Sequence, residues 1–431
     1  MLSKLHATER IGMLARHQFD TRAPACARTS RWYVAETTVI ASGGPVFNVM
    51  NRFSALASAG AMVTLIVAGS AVSATAPVAA TSSPPWSACT SGLNITSSPR
   101  QPYPDGAILY AVSAPSATDA WAVGELTGPS LSLPQAEHWN GSTWTVTSID
   151  LPALDGAADS LSSFDAVAAF SPTDAWAGGF QDEPSGEYPV LAHWNGTTWT
   201  LRTFPTPASH VSVQALAGTG GGDLWVGEQT GDQTDYLAHY DGTSWTLQQS
   251  PLAIQSLTAL GPDQVAVGGE QNGDDAAIAD YVGGNWSVIA DPGSSEVTDI
   301  SGNQPDDLWA VGAPESPYTN WTLLHYTASG WTDLTGAIAG IVVTSNGAGD
   351  AAGVMNNFGA TPAAFKFSDP NGPIWGPYSQ TNLAWDPSYG TELDIHAIAA
   401  TPRGALFAVG SLRENGIPDI QEPIVFRDCP G

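Results

Sequence analysis

Basic residues are scarce in this chain. Thirteen Lys and Arg stand against 41 Asp and Glu in 431 residues, and the formal net charge is −28. Seven of the cations and only three of the acids precede Thr81, so from there onward six cations face 38 carboxylates. Recognition of a phosphate backbone needs clustered cations, which excludes nucleic acid as a partner and disfavours an anionic membrane surface. Cysteine is almost missing too, with three in the whole chain. There is no Gly-x-Ser-x-Gly elbow, no His-Glu-x-x-His and no Walker-type loop, so three common routes to hydrolysis have no motif here. No Asp-x-Asp-x-Asp-Gly calcium loop is present, and no convincing helix interrupts the strand-like runs.

What the chain does have is repetition. Gln-Ala-Glu-His-Trp-Asn-Gly-Ser-Thr-Trp-Thr (135–145), Val-Leu-Ala-His-Trp-Asn-Gly-Thr-Thr-Trp-Thr (190–200) and Tyr-Leu-Ala-His-Tyr-Asp-Gly-Thr-Ser-Trp-Thr (236–246) are copies of one unit, with weaker copies at 279–288 and 323–332. Each reads as two strands joined at Asn-Gly, Asp-Gly, Gly-Gly or Ser-Gly, pairs that tolerate the positive φ of a tight hairpin. A second motif, Asp-Ala-Trp-Ala-Val-Gly at 119–124, precedes each hairpin. Its central position aligns at Trp121, Trp176, Trp225, Val265, Trp309, Ala352 and Phe407, a mean period of about 48 residues, in the range of propeller repeats. The expectation is an all-β fold, a seven-bladed β-propeller of four-stranded blades. The blades fall at about 107–150, 163–205, 211–250, 255–291, 296–336, 339–380 and 394–429.

Residues 1–49 have neither strand period nor repeat and read as a mis-called extension, with Met50 as initiator. From Met50, Arg52 and the apolar run 55–72 followed by small residues form a secretory signal over 50–80; the competing reading is a membrane anchor at 55–76. Residues 81–106 are expected to be a linker and ring-closing strand. The last blade stops after its third strand, and Trp86 resembles the Trp of the absent fourth one, so the N-terminal segment would close the ring and cover a free edge. Cys89 and Cys429 sit at the two ends, and an isolated pair in an exported chain is expected to form a disulfide worth about 2–5 kcal/mol.

His138, His193, His239 and His325 occupy one repeat position, so radial repetition spreads them apart and they read as structural. Asp119, Asp174, Asp223, Asp263, Asp307 and Asp350 likewise read as turn residues bonding nearby amides. Function is expected in the variable loops between strands two and three, which are acidic. The candidate binding residues are Asp182, Glu183, Glu187, Glu228, Asp232, Asp235, Asp274 and Asp275. Such a face suits a cationic partner or Ca²⁺, and no other cofactor and no metal ligand set is expected. Five Asn-x-Ser/Thr sequons, at Asn94, Asn140, Asn195, Asn285 and Asn320, coincide largely with turns.

The pattern Asp-x-Trp-Ala-Val-Gly followed by His-Trp-Asn-Gly-Thr-x-Trp-Thr resembles secreted bacterial propellers of the kelch and galactose-oxidase-like superfamily, over about 107–431. That resemblance implies a propeller fold and an extracellular setting. Galactose oxidases in it use copper with a Tyr–Cys crosslink, whereas the two cysteines of the expected mature chain, Cys89 and Cys429 with Cys26 set aside in the extension, lie at its ends. Sialidases need an arginine triad, and Arg100, Arg202, Arg403, Arg413 and Arg427 are scattered. The expected function is therefore a non-catalytic, monomeric scaffold that binds a saccharide, a peptide or a cell-wall component. The alternative is a carbohydrate-active hydrolase or lyase using acidic loop residues.

Overall fold

The computed structural model describes residues 94–96, 106–128, 132–147, 149, 161–183, 186–207, 211–230, 234–271, 275–290, 296–313, 322–333, 342–345, 350–355, 363–368, 392–402, 405–413 and 421–428. All belong to the compact unit Val78–Gly431. The expected extension, signal or anchor, Trp86, Cys89 and Cys429 lie outside the described residues, as does the stretch 373–375 expected to serve as a fourth strand of the sixth blade. Among the described residues no helix is long and apolar enough to cross a membrane.

The chain forms one antiparallel meander after another. Sheet 1 is β2 (Ala107–Ser116), β3 (Asp119–Thr127), β4 (Ser132–Trp139) and β5 (Trp144–Thr147), following a short β1 (Asn94–Thr96). Sheet 2 is β6 (Ser162–Ser171), β7 (Asp174–Glu183), β8 (Gly186–Trp194) and β9 (Trp199–Leu201). Sheet 3 is β10 (Val211–Gly220), β11 (Asp223–Thr230), β12 (Tyr236–Tyr240) and β13 (Trp245–Gln249). Sheet 4 is β14 (Ala253–Gly261), β15 (Gln264–Gln271), β16 (Asp275–Val282) and β17 (Asn285–Ala290). Sheet 5 is β18 (Glu296–Gln304), β19 (Asp307–Ala313), β20 (Thr322–Thr327) and β21 (Gly330–Asp333). Sheet 6 has three described strands, β22 (Val342–Ser345), β23 (Asp350–Met355) and β24 (Ala363–Ser368). Sheet 7 is β25 (Glu392–Ala400), β26 (Leu406–Arg413) and β27 (Gln421–Asp428), and its fourth strand is β1, with Asn94 opposite Arg427 and Thr96 opposite Val425. The strand in that place is thus Asn94–Thr96, downstream of Trp86.

Successive sheets pack face to face, which makes both faces of each sheet apolar. Trp121, Val123 and Ala136 of sheet 1 meet Phe164, Val167 and Val190 of sheet 2. Sheets 2 and 3, 3 and 4, and 4 and 5 share cores of the same kind. Leu109, Val112 and Trp144 of sheet 1 pack with Ala399, Phe407 and Val409 of sheet 7. First strands are also tied by side chains at one repeat position. The Ser113, Ser301 and Thr344 hydroxyls accept the amides of Ala169, Ser345 and Ala400 in the following sheet, and Thr258 exchanges bonds with Gly302.

The repeated Trp, His and Asp form one structural unit per sheet. In sheets 1, 2, 3 and 5 the histidine Nε2 lies 2.7–2.9 Å from the Oδ1 of Asp119, Asp174, Asp223 or Asp307. Its ring stacks on Trp121, Trp176, Trp225 or Trp309 with centroids 3.6–4.3 Å apart. The aspartate therefore fixes the ring that covers the tryptophan, a tighter role than bonding turn amides, although Asp223 also accepts the Thr219 amide. The other side of the Trp is closed by the next sheet: Trp194 and Trp199 lie 5.1 Å from Trp121, and Tyr281 lies 5.5 Å from Trp225. Phe407 of sheet 7 meets Trp144 of sheet 1 in the same way.

Sheet 4 corrects the alignment expected from sequence. Strand pairing sets Ala266, not Val265, opposite Thr258 and Asp280, the places held elsewhere by Trp and His. The residue at the aspartate position is then Gln264, whose Nε2 donates to Asp280 at 3.0 and 3.3 Å, while Asp263 is exposed. The Asp-Gln-Val-Ala-Val spelling at 263–267 aligns by letter with the Asp of the motif, but the strand is set one residue later.

The hairpins also differ from a uniform two-residue turn. Trp139 pairs with Trp144 across four residues, and the Asn140 Oδ1 accepts the amides of Ser142 and Thr143 while Gly141 takes φ +94°. Asn195 and Asp241 do the same. Two of these hairpins have a two-residue turn: Val282 pairs with Asn285 across Gly283 and Gly284, both at positive φ, and Thr327 pairs with Gly330 across Ala328 and Ser329.

Candidate binding site at the inner-strand bulges

Near the start of the first strand, six sheets carry a one-residue register skip. It falls between Leu109 and Ala111, Phe164 and Ala166, Val213 and Ala215, Ile254 and Ser256, Val297 and Asp299, and Ile395 and Ala397. The residues left over are Tyr110, Asp165, Gln214, Gln255, Thr298 and His396. A bulge takes its extra residue out of the ladder and re-aims the side chain. Here each extra residue is partly exposed, while the one before it is buried. The strand opposite must come close, and it carries Gly124, Gly179, Gly269, Gly312 or Gly410. A Cβ on Gly124 would sit 1.9 Å from the Ile108 carbonyl oxygen, and one on Gly410 1.9 Å from that of Asp394. The motif glycine of the sequence thus accompanies the bulge.

The sector where sheets 7, 1 and 2 meet is the richest in chemistry. Tyr110 and His396 are edge-to-face at 5.6 Å between centroids. The Tyr110 hydroxyl donates to the Glu125 Oε1 at 2.9 Å. Burial raises the Glu125 pKa above its usual value, opposed by bonds from Tyr110 and Ser132. Burial also pushes Asp165 up to about 7, against the Ser163 hydroxyl bond at 2.6 Å, and the charges of Glu125 and Glu187 push the same way. Burial lowers His396 to about 4, so this imidazole is neutral at neutral pH, with Nε2 3.4 Å from the Ser411 hydroxyl. The result is a neutral aromatic corner beside carboxyls that share too little solvent to ionise freely.

A related acid pair marks the junction of sheets 4 and 5, where burial and the Glu270 charge raise Glu296. Farther along β18, Asp299 is pushed up to about 6 by burial and accepts Ser256 Oγ and the Val343 and Ile300 amides, so it holds three sheets in register.

The described residues among the eight singled out in the sequence do not share one environment. Asp182 pairs with Glu187 in the β7–β8 hairpin, both partly buried, and Glu187 reaches Asp165 through its charge. Glu183 ends β7 opposite Gly186. Asp275 is exposed at the start of β16. Asp235 is buried and accepts the Thr230 and Ile254 amides at 3.0 and 2.7 Å, pinning the β11–β12 loop to sheet 4. Glu228 is fully buried where other sheets have the glycine opposite the bulge; burial pushes it up to about 8, with Thr206 as an opposing hydrogen-bond partner. Asp232 and Asp274 lie outside the described residues. Sequence reading missed Tyr110, Asp165 and His396. The signal was there, as one polar or aromatic residue following an apolar one in each of the six first strands with a register skip, but bulges are invisible until strands are paired. Among the described residues no three His, Cys, Asp or Glu are grouped to hold a metal ion.

No family model matches the chain, and no curated protein matches it. Solved structures do. It is similar to YCF48 bound to D1 peptide at 13% identity, covering 78% of this chain and 95% of that one, with a TM-score of 0.51. It is also similar to the WD40 propeller domain of Doa1 (11% identity, 78% and 96% covered, TM-score 0.47). A third likeness is to the six-bladed fucose-binding lectin of Aleuria aurantia (16%, 55% and 79%, TM-score 0.39). The first of these likenesses concerns fold alone: the chain is a β-propeller.

Proposed function

We propose that this chain is a non-catalytic binding propeller whose ligand, a peptide or a saccharide, sits over the inner-strand bulges. The observation that carries the reading is the bulge series itself: six sheets each turn one polar or aromatic side chain out of the packing at the same height. Binding sites are built from such convergent groups on a rigid scaffold. We take the ring to have seven blades closed by β1, which the sheet order and the sheet 7–sheet 1 core support. The secreted setting, the kelch- and galactose-oxidase-like kinship and the Cys89–Cys429 disulfide complete the proposal; the leader-like run from Met50 and the scarcity of other cysteines support them.

A second reading has one observation in its favour. Asp165 titrates near neutrality beside Glu125, the property a general acid needs, and would suit a glycoside hydrolase. The test is a thermal-shift panel with basic and neutral peptides and with neutral and acidic oligosaccharides, each repeated on a Gln214→Ala/Gln255→Ala variant. A ligand that stabilises the wild type and not the variant supports the site. Ligand shifts identical in both proteins count against it, and saccharide turnover abolished in Asp165→Asn would replace it with the enzyme.

A further inference from the structure

We infer that the sector formed by His396, Tyr110, Glu125 and Asp165 is a subsite for a cationic group, such as a Lys or Arg side chain of a bound peptide; this rests on the binding reading above. The geometry assigns it in three steps. Tyr110 and Asp165 are the bulge residues of sheets 1 and 2, and His396 is that of sheet 7, so three adjacent sheets turn side chains toward one place. Tyr110 and His396 contact each other edge to face and form an aromatic wall, against which a cation is attracted by the ring quadrupole. Beside that wall stand Glu125, oriented by the Tyr110 hydroxyl, and Asp165, oriented by Ser163. The four groups come from three sheets, His396 from sheet 7, Tyr110 and Glu125 from sheet 1 and Asp165 from sheet 2, so the place combines an aromatic contact with oriented carboxyls and is not merely acidic surface.

The electrostatics agree with the geometry. Both carboxyls titrate above their usual values, through burial first and, for Asp165, the charges of Glu125 and Glu187. Their negative charge is under-compensated in the free protein, and an arriving cation would relieve it. By linkage, a ligand that favours the ionised carboxyls binds more tightly as pH rises through their titration. The groups acting on Asp165 are Glu125 from β3, Glu187 from β8 and Ser163 from its own strand, while His396 from β25 contacts Tyr110 and is neutral over this range.

The test uses the full chain and an oligo-arginine peptide, titrated by calorimetry at about pH 5.5 and about pH 8. Expected is an affinity gain of about fivefold or more at the higher pH in the wild type, and a loss of about tenfold in Asp165→Asn at about pH 8, with the pH dependence flattened. Asp275→Asn, an exposed carboxylate elsewhere, controls for general attraction by a chain of net charge −28 and should change little. A melting curve for Asp165→Asn matching the wild type assigns the loss to the site. If that variant is poorly folded, Tyr110→Phe, which keeps the ring and frees Glu125, should still weaken binding. Equal effects of Asp275→Asn and Asp165→Asn, or affinity independent of pH, would overturn the subsite. Capture of a neutral oligosaccharide at the bulges with no binding of the basic peptide would also overturn it while leaving the binding propeller standing.

Discussion

Sheets 3 and 4 stand side by side and solve the same packing problem with opposite chemistry. In sheet 3, Asp223 holds His239, and His239 covers the fully buried Trp225. In sheet 4 the acid has crossed strands: Gln264 on the second strand donates to Asp280 on the third, and Ala266 replaces the tryptophan. What is preserved is a hydrogen bond between strands two and three at a fixed height. The identity of donor and acceptor is free, provided one side donates and the other accepts. The large ring is needed only where the following sheet leaves room for it: Tyr281 and Trp286 close over Trp225, whereas Ala266 lies among Ile278, Ile300 and Leu308.

That contrast can be broken in graded ways. Trp225→Ala removes a buried indole stacked on His239 and in edge contact with Tyr281, and should cost about 3–5 kcal/mol, read as a shift in the denaturant midpoint. Asp223→Ala should cost about 1–3 kcal/mol, because His239 and the Thr219 amide both lose their acceptor; an unchanged midpoint would remove the aspartate from the unit. Gln264→Asp sharpens the comparison by facing two carboxylates in sheet 4, where burial already raises Asp280. Like charges raise the folded-state pKa further, so stability should fall as pH rises from the acid range toward neutrality and return on acidification, a difference of about 1–2 kcal/mol. Melting curves across pH would show it, and a loss equal at acid and neutral pH would mean the cause is steric.

A change of opposite sign at neutral pH is expected from Glu228→Gln. The folded-state pKa of this acid is raised from 4.5 to about 8, so the folded protein holds a proton that the unfolded chain releases. Its contribution is full below about 4.5, declines as pH rises and is gone above about 8. A glutamine mimics the protonated form. The variant should match the wild type below about pH 4.5 and lose less stability as pH rises from there to about 8. Parallel pH profiles for the two proteins would contradict this.

The fold was legible because its signals are local and repeated. His-Trp-Asn-Gly-Thr-x-Trp-Thr encodes a hairpin in eight residues, and Trp121, Trp176, Trp225 and Trp309 announce the spacing of sheets. Sheet 4 was misread by one residue since Val265 and Ala266 are both apolar, and only pairing with Asp280 separates them. The site was less legible. Acidity pointed to the end of the sheets where the bulges lie through Glu187 and Glu228, yet it could not tell a solvated carboxylate such as Asp275 from Asp235, whose oxygens hold two backbone amides. Tyr110, Asp165 and His396 are marked in sequence only by the apolar residue before each; a bulge and an adjacent sheet give them their meaning.

The central claim is that ligand contacts the bulges of the first strands, and amide hydrogen exchange tests it most directly. The full chain would be labelled alone and with a saturating hit from the peptide and saccharide panel. The account predicts added protection concentrated at residues 107–111, 162–166, 211–215 and 392–397, at the starts of β2, β6, β10 and β25. Protection confined to the outer hairpins, at 139–144, 194–199 and 240–245, with the first strands unchanged, would contradict it.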